Sequence, residues 1–209
     1  MCHVYQGVNV VNPLANTGTI ANEGTLQITG ATANGGTITG AGTLDLDANL
    51  ETTANITQGT VDIATGVTLT NTNKDVEITD TLTMADSTAK ITNNGGNLKL
   101  SGTSISVAGT VDGNGTMQVT NGTVTNNGSI SQNKIKISAA NAGGSPKFVS
   151  NLGESLTISN IENLNLLELT GSAGSAAPVE NNTVITGGSG VTTFYGNIVN
   201  NKAITQNLA

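Results

Sequence analysis

Aliphatic and polar residues alternate along this chain in short bursts. Leu26-Gln27-Ile28, Leu44-Asp45-Leu46, Val61-Asp62-Ile63, Val67-Thr68-Leu69 and Val76-Glu77-Ile78 each place one polar residue between two aliphatic ones. The form continues at Leu82-Thr83-Met84, Leu98-Lys99-Leu100, Ile105-Ser106-Val107, Met117-Gln118-Val119, Ile135-Lys136-Ile137 and Leu156-Thr157-Ile158. A period of two sends the flanking aliphatics to one face and the middle residue to the other, so each triplet predicts a short strand. The middle residues are mostly Asp, Glu, Lys, Gln, Thr and Ser, which suits a solvated outer wall. Helical periodicity is nearly absent.

A second pattern overlies the first. A unit of Gly, then Thr or Ser, then an aliphatic residue recurs at Gly18, Gly24, Gly36, Gly42 and Gly59, and again at Gly109, Gly115, Gly122 and Gly128. Neighbouring units often lie 6 or 7 residues apart, as from Gly18 to Gly24 and from Gly115 to Gly122. Gly18 to Gly36 and Gly24 to Gly42 are each 18 residues, and Gly42 to Gly59 is 17. A short period nested in a longer one describes a coil with three short strands per turn of about 18 residues. Asn-Gly pairs at Asn34, Asn94, Asn114, Asn121 and Asn127 are expected to turn the chain between strands through left-handed backbone angles. A hairpin sandwich fits less well, because its strands are longer and spaced 8–12 residues apart and its core usually carries aromatics. The expected fold is all-β, a single-stranded parallel β-solenoid. At roughly 4.8 Å per coil, nine or ten coils make a rod on the order of 45 Å long.

Residues 1–11 break the pattern and read as an irregular N-terminal segment. The solenoid is expected over 12–209, with loop insertions near 139–147 and 171–182. Leu164-Asn165-Leu166 and Leu167-Glu168-Leu169 form the most apolar stretch. Residues 1–20 show no basic start followed by an apolar run, so no secretory leader is expected there. The chain therefore reads as part of a longer protein.

Composition narrows the function. Of 209 residues, 34 are Thr, 28 Asn and 27 Gly, and 36% are apolar. The formal net charge is −7, every cation is a lysine, and Trp and Arg are absent. A nucleic-acid binder needs a basic face and stacking aromatics, which this composition excludes. No apolar run approaches the 20 or so residues of a membrane-spanning helix, and Cys2 has no disulfide partner in the chain.

Candidate chemistry is sparse. His3 and Cys2 are adjacent, but one His and one Cys supply at most two ligands where zinc uses three or four, so no metal or cofactor is expected. Asp45 and Asp47 share a strand face, and Asp62 lies about one coil onward. Such an acidic ladder could serve acid–base chemistry on a polysaccharide. The alternative reading is therefore a carbohydrate-active β-helix enzyme, a lyase or hydrolase, acting through Asp45, Asp47 and Asp62. Against it stands the absence of Arg beside the carboxylates and of Trp as a sugar platform, so no catalytic residue is expected. The stretch from Thr39 to Asp45 approaches a calcium-binding Gly-Gly-x-Gly-x-Asp nonapeptide, but its Asp falls one position late and the string does not recur. Thr-x-Thr pairs at Thr17, Thr37, Thr68, Thr81 and Thr123 raise ice binding, yet their irregular spacing forms no single rank. Sequons at Asn55, Asn114, Asn121, Asn127 and Asn181 follow from the abundance of Asn and Thr.

The repeated Gly-Thr-aliphatic units with Asn-Gly corners, no Arg and almost no Cys resemble the passenger regions of bacterial autotransporters and filamentous-haemagglutinin-like adhesins. The Asn/Thr/Gly/Ala-rich flavour is similar to rickettsial surface cell antigens. The resemblance covers roughly residues 12–205. It implies a right-handed β-helix, export to the cell surface, and a non-enzymatic role in adhesion or a surface layer. The implied partners are host-cell-surface or extracellular-matrix molecules, or neighbouring repeats of the same protein. The chain differs from the family in carrying neither the leader nor a C-terminal membrane barrel.

Overall fold

The computed structural model describes residues 1–11, 13–140, 144–151, 156–170, 179–196 and 198–206. Among these residues every regular element is a β-strand, and every strand pairing is parallel. The strands stack as a β-solenoid of about 10 turns with about 19 residues per turn. Among the described residues the strands fall on three walls. Wall I runs from Cys2–Val4 through Thr19–Asn22, Thr37–Thr39 and the start of Ile56–Ile63, and on through Asn97–Leu100 and Thr116–Val119 to Ile204–Thr205. Wall II holds Val8–Val10, Thr25–Ile28 and Thr43–Leu46, then Ser104–Val107, Thr123–Asn126, Lys147–Asn151, Leu166–Thr170 and Val191–Tyr195. Wall III holds Thr32–Asn34, Leu50–Thr52, Thr68–Thr72, Lys90–Asn94 and Thr110–Asp112, and later Val179–Asn181 and Ile198–Asn200.

The triplets build this stack as their alternation predicts. In all but the last, both aliphatic flanks are buried and the middle residue is half-buried or exposed; Leu156 of the last is half-buried. Ile20, Ile38 and Ile56 lie over one another 18 residues apart in wall I, and Leu26, Leu44 and Val61 do so in wall II. The core is one continuous aliphatic column from Val4 to Ile185, with Phe148 its largest fully buried side chain. No coil closes its own interior face, so burial and backbone hydrogen bonding both run between coils.

The structure departs from the sequence expectation at four places. Residues 1–11 are not irregular: Cys2–Val4 pairs with Thr19–Asn22 and Val8–Val10 with Thr25–Ile28, so the first coil precedes the first Gly-Thr unit. Of the two loop insertions, 141–143 and 171–178 lie outside the described residues, while Val179–Asn181 forms a strand of wall III. The extra length falls between walls, since Ile135 and Ile161, 26 residues apart, still sit in register. Leu164 and Leu166 do not face the core: Leu166 is 36% exposed, and Leu167 and Leu169 set the buried face. Ile161, Asn163, Leu167 and Leu169 are all buried, so the odd-numbered alternation keeps its parity across the bend at Leu164 and Asn165 and leaves the two even-numbered leucines off the core face. Finally, the Asn-Gly corners do not share one backbone shape. Gly95 and Gly122 have positive φ (74° and 52°), but at Asn114-Gly115 the left-handed residue is Gly113, with φ 111°. Gly128 is needed for room instead, because a Cβ there would lie 2.2 Å from the Gly109 carbonyl oxygen of the preceding coil.

Candidate functional surface

The acidic ladder inferred from the sequence forms in part. Asp45 and Asp62 sit directly opposite on adjacent coils of wall II, in the register Leu44 on Val61 and Leu46 on Ile63. Burial, the Asp47 carboxylate and the Asp62 carboxylate together push the Asp45 carboxyl above its ordinary value. Asp47 is held aside by Gln27 of the preceding coil, whose Nε2 donates to its Oδ2 at 2.7 Å. The trio therefore sets one carboxyl with a raised pKa beside two other carboxyls on an open wall. Among the described residues no group of three or more His, Cys, Asp or Glu side chains is arranged to hold a metal ion. Cys2 is exposed, and the His3 ring stacks on Tyr5 at a centroid distance of 5.6 Å and an interplanar angle of 6°. That contact is an edge decoration of the first coil.

Charge is divided along the rod. Residues 1–73 carry Glu23, Asp45, Asp47, Glu51 and Asp62 and not one lysine; the first lysine is Lys74. Beyond it, lysines on one coil reach acids on an adjacent one. Lys90 meets Asp112 at 2.6 Å, Lys99 meets Asp75 at 2.5 Å, Lys147 meets Glu168 at 2.6 Å, and Lys134 pairs with Glu162. Each pair is diagonal, two positions off the direct register, as when Lys99 stands opposite Glu77 yet bonds Asp75. Hydrogen bonds from Lys99 and Asn97 hold the Asp75 carboxyl below its ordinary value, and Lys134 does the same for Glu162. Exposed pairs of this kind contribute about 0–1 kcal/mol each.

Two adjoining recesses mark wall III near the N-terminal end. One, of about 510 Å³, is lined by Ala31, Thr32, Asn49, Leu50, Thr68 and Thr70, together with Ala33 and Glu51. The other, of about 430 Å³, is lined by Ala15, Asn16, Thr17, Asn34, Gly35 and Thr53, again with Ala33 and Glu51. Ala33, Glu51 and Thr70 stand on successive coils in direct register, so small side chains flank a single carboxylate on an outward row. Glu51 went unnoticed in the sequence because nothing in the primary repeat links it to Ala33 and Thr70; only coil register does. The same register stacks Thr25, Thr43, Thr60 and Thr81 on four consecutive coils of wall II. Of this rank the Thr-x-Thr pattern catches only Thr81; the other members follow Gly24, Gly42 and Gly59 in the Gly-Thr units.

The sequons divide by placement. Asn114 and Asn127 are exposed, Asn121 is half-buried, and Asn55 accepts the Asp75 backbone N–H through Oδ1 at 3.2 Å. Asn181 points inward and donates to Asn200 Oδ1 at 2.7 Å, which removes it from the surface.

Comparison with protein-family models, with curated proteins and with solved structures finds no match. No helix among the described residues is long and apolar enough to cross a membrane.

Proposed function

We propose that this chain is a non-enzymatic structural and adhesive module of a secreted bacterial protein displayed at the cell surface, in the manner of an autotransporter passenger. The observation that carries the reading is the stack itself: three polar outer walls repeated over about 10 turns around a thin aliphatic core. Such a rod offers a long contact surface made of Thr, Asn, Ser and Gly, and a binding partner would span several coils rather than enter one pocket. Folding by addition of coils also suits a chain that emerges progressively through a membrane, because each coil needs only its predecessor. A lone exposed cysteine, Cys2, leaves no intramolecular disulfide to trap during export. The partners on this reading are host-cell-surface or extracellular-matrix molecules, or neighbouring repeats of the same protein.

Protease shaving of intact source cells, with mass spectrometry of the released peptides, tests the proposal. Peptides from residues 13–206 in the shaved fraction, without cytosolic markers, support surface display. Their appearance only after lysis defeats it.

A second reading, a carbohydrate-active β-helix enzyme, draws on the raised carboxyl of Asp45 beside Asp62. Incubation with acidic and neutral polysaccharides should then generate new reducing or unsaturated ends, and Asp45→Asn should abolish them. No new ends from any substrate rejects it.

A further inference from the structure

We infer that Asn94-Gly95 is a self-modification site, where the folded chain converts asparagine to aspartate and isoaspartate ahead of its other Asn-Gly steps. The five steps share a dipeptide but not an environment. Succinimide formation needs the glycine backbone nitrogen free to attack and the asparagine side chain free to swing onto it.

Three steps are blocked by the coil ladder. At Asn34-Gly35 the side chain is buried, its Nδ2 donates to the Gly36 carbonyl at 2.7 Å, and the Gly35 N–H donates to the Asn16 carbonyl at 3.0 Å. At Asn114-Gly115 the asparagine is exposed, but Gly115 is buried and its N–H donates to the Asn93 carbonyl at 2.8 Å. At Asn127-Gly128 the Gly128 N–H donates to Asn126 Oδ1 at 3.2 Å, and Asn127 Nδ2 is held by Ser106 Oγ at 2.8 Å. Asn121 is half-buried with the next coil upon it, since a Cβ on Gly144 would lie 2.0 Å from Asn121 Oδ1.

Asn94-Gly95 differs from the three blocked steps in its unbonded glycine N–H, and from Asn121-Gly122, where both residues are half-buried, in its exposure. Both residues are exposed, and the Gly95 N–H and the Asn94 side-chain amide have no hydrogen-bond partner among the described residues. Gly95 has φ 74°, a conformation in which a residue with a side chain is strained, and a Cβ there would meet Asn73 Oδ1 at 2.2 Å. The corner between walls III and I thus keeps the reactive dipeptide outside the hydrogen-bonded ladder.

The chemistry needs only water. The Gly95 nitrogen gives its proton to hydroxide and forms a bond to Asn94 Cγ. The Cγ–Nδ2 bond breaks, and the amide nitrogen leaves as ammonia after taking a proton. Water then adds to either carbonyl of the five-membered imide. Opening at one gives aspartate, and opening at the other gives isoaspartate with one extra methylene in the main chain. Both products add a carboxylate at this corner, and the second displaces the Asn94 carbonyl that accepts the Asn73 N–H at 2.8 Å. At the protected steps reaction must await local opening, so the rates report how often each corner opens.

The test is incubation of the full chain at mildly alkaline pH, folded and in denaturant, followed by peptide mapping for replacement of NH2 by OH. In the folded chain, conversion at Asn94 is expected at least about fivefold faster than at Asn114 or Asn127, the factor that one net backbone hydrogen bond contributes. In denaturant the five steps should converge. Asn94→Gln should remove the first acidic species while leaving the denaturation midpoint unchanged, because the side chain is exposed. Equal rates at Asn94, Asn114 and Asn127 in the folded chain overturn the inference. So does an Asn94 that converts in denaturant but stays intact in the fold.

Discussion

Asp45 carries a cost that its neighbours impose. Its carboxylate faces Asp62 in direct register and has Asp47 two positions along the strand, and burial adds to their repulsion. Because its folded pKa lies above the unfolded one, the native state binds the proton more tightly. Stability therefore falls as pH rises through the carboxylate range, and the full cost is present at neutral pH. Asp45→Asn should raise stability at pH 7 by roughly 0.2–1 kcal/mol, the size of a like-charge pair across strands. The gain should vanish at a pH below the unfolded carboxylate value. Urea denaturation at both pH values checks this, and an equal gain at both would assign the effect to packing. Asp75 and Glu162 have the opposite sign. Their lowered values contribute stability above the unfolded range that is lost as pH falls through the folded values.

The elements are tied at their corners by inward asparagines. Between walls III and I, Asn16 Nδ2 donates to Asn34 Oδ1 at 2.9 Å, and Asn34 Nδ2 donates to Thr52 Oγ1 at 3.1 Å. Two coils on, Asn71 Nδ2 donates to Asn93 Oδ1 at 2.9 Å. Every donation runs toward the C-terminal coil, so the ladder has a direction. It breaks once. Thr52 has a single proton, which goes to the Ala54 carbonyl at 2.8 Å, and Asn71 Oδ1 is left buried without a partner. Thr52→Asn supplies a second donor in the right direction and should stabilise the protein by about 1 kcal/mol. An unchanged or lower denaturation midpoint would show that Asn71 has another way to satisfy that oxygen. One coil higher the ladder meets Gly113, which has no side chain and whose added Cβ would lie 2.3 Å from the Asn93 carbonyl oxygen. The longer Gln132 side chain reaches across the gap and accepts from Asn93 Nδ2 at 3.0 Å. The same arrangement joins Asn22 to Gln58 at 2.6 Å across the level of Gly40, whose φ is 126°. Gln132→Asn, one methylene too short, should cost about 1–3 kcal/mol by leaving one N–H of the buried Asn93 amide unpaired, the other still donating to the Thr116 carbonyl. A neutral result in thermal or urea denaturation would count against the bridge.

At the scale of the whole rod, stability is a sum over coils and their interfaces. Phe148 is fully buried in wall II, in register with Val124 before it and Leu167 after it. Phe148→Ala should cost about 3–5 kcal/mol through the cavity it opens. Because each coil touches only its neighbours, the loss of amide-exchange protection should centre on Thr123–Asn126, Lys147–Asn151 and Leu166–Thr170 and fade toward Thr25–Ile28. Uniform loss along the chain would mean that the solenoid opens as one unit. Charge is also organised at this scale: the lysine-free run 1–73 forms the purely anionic end, and the cross-coil ion pairs lie beyond it.

The sequence by itself determined the solenoid. Alternation fixed which residues point inward in each triplet, and recurrence of the Gly-Thr unit fixed three strands per coil, because both are local periodicities that every coil repeats. It also exposed Asp45 and Asp62 as neighbours, since their 17-residue separation is close to one coil. What it left open depends on register between coils, and that is set by corner lengths which vary from turn to turn. Only the tertiary structure stacks Ala33, Glu51 and Thr70 into one row, or adds Thr81 to the rank of Thr25, Thr43 and Thr60 that the Gly-Thr repeat already spaces one coil apart. The asparagines show the limit most clearly. Composition assigns Asn to the turns, yet Asn34, Asn71 and Asn93 lie in the last residues of wall III strands, and their side chains turn inward and are buried. An amide can be buried only where another coil supplies its partner, and that partner lies 22 residues away for Asn71 and 39 for Asn93. Local pattern encodes the strand, but the hydrogen bonds that close the interior belong to the stack.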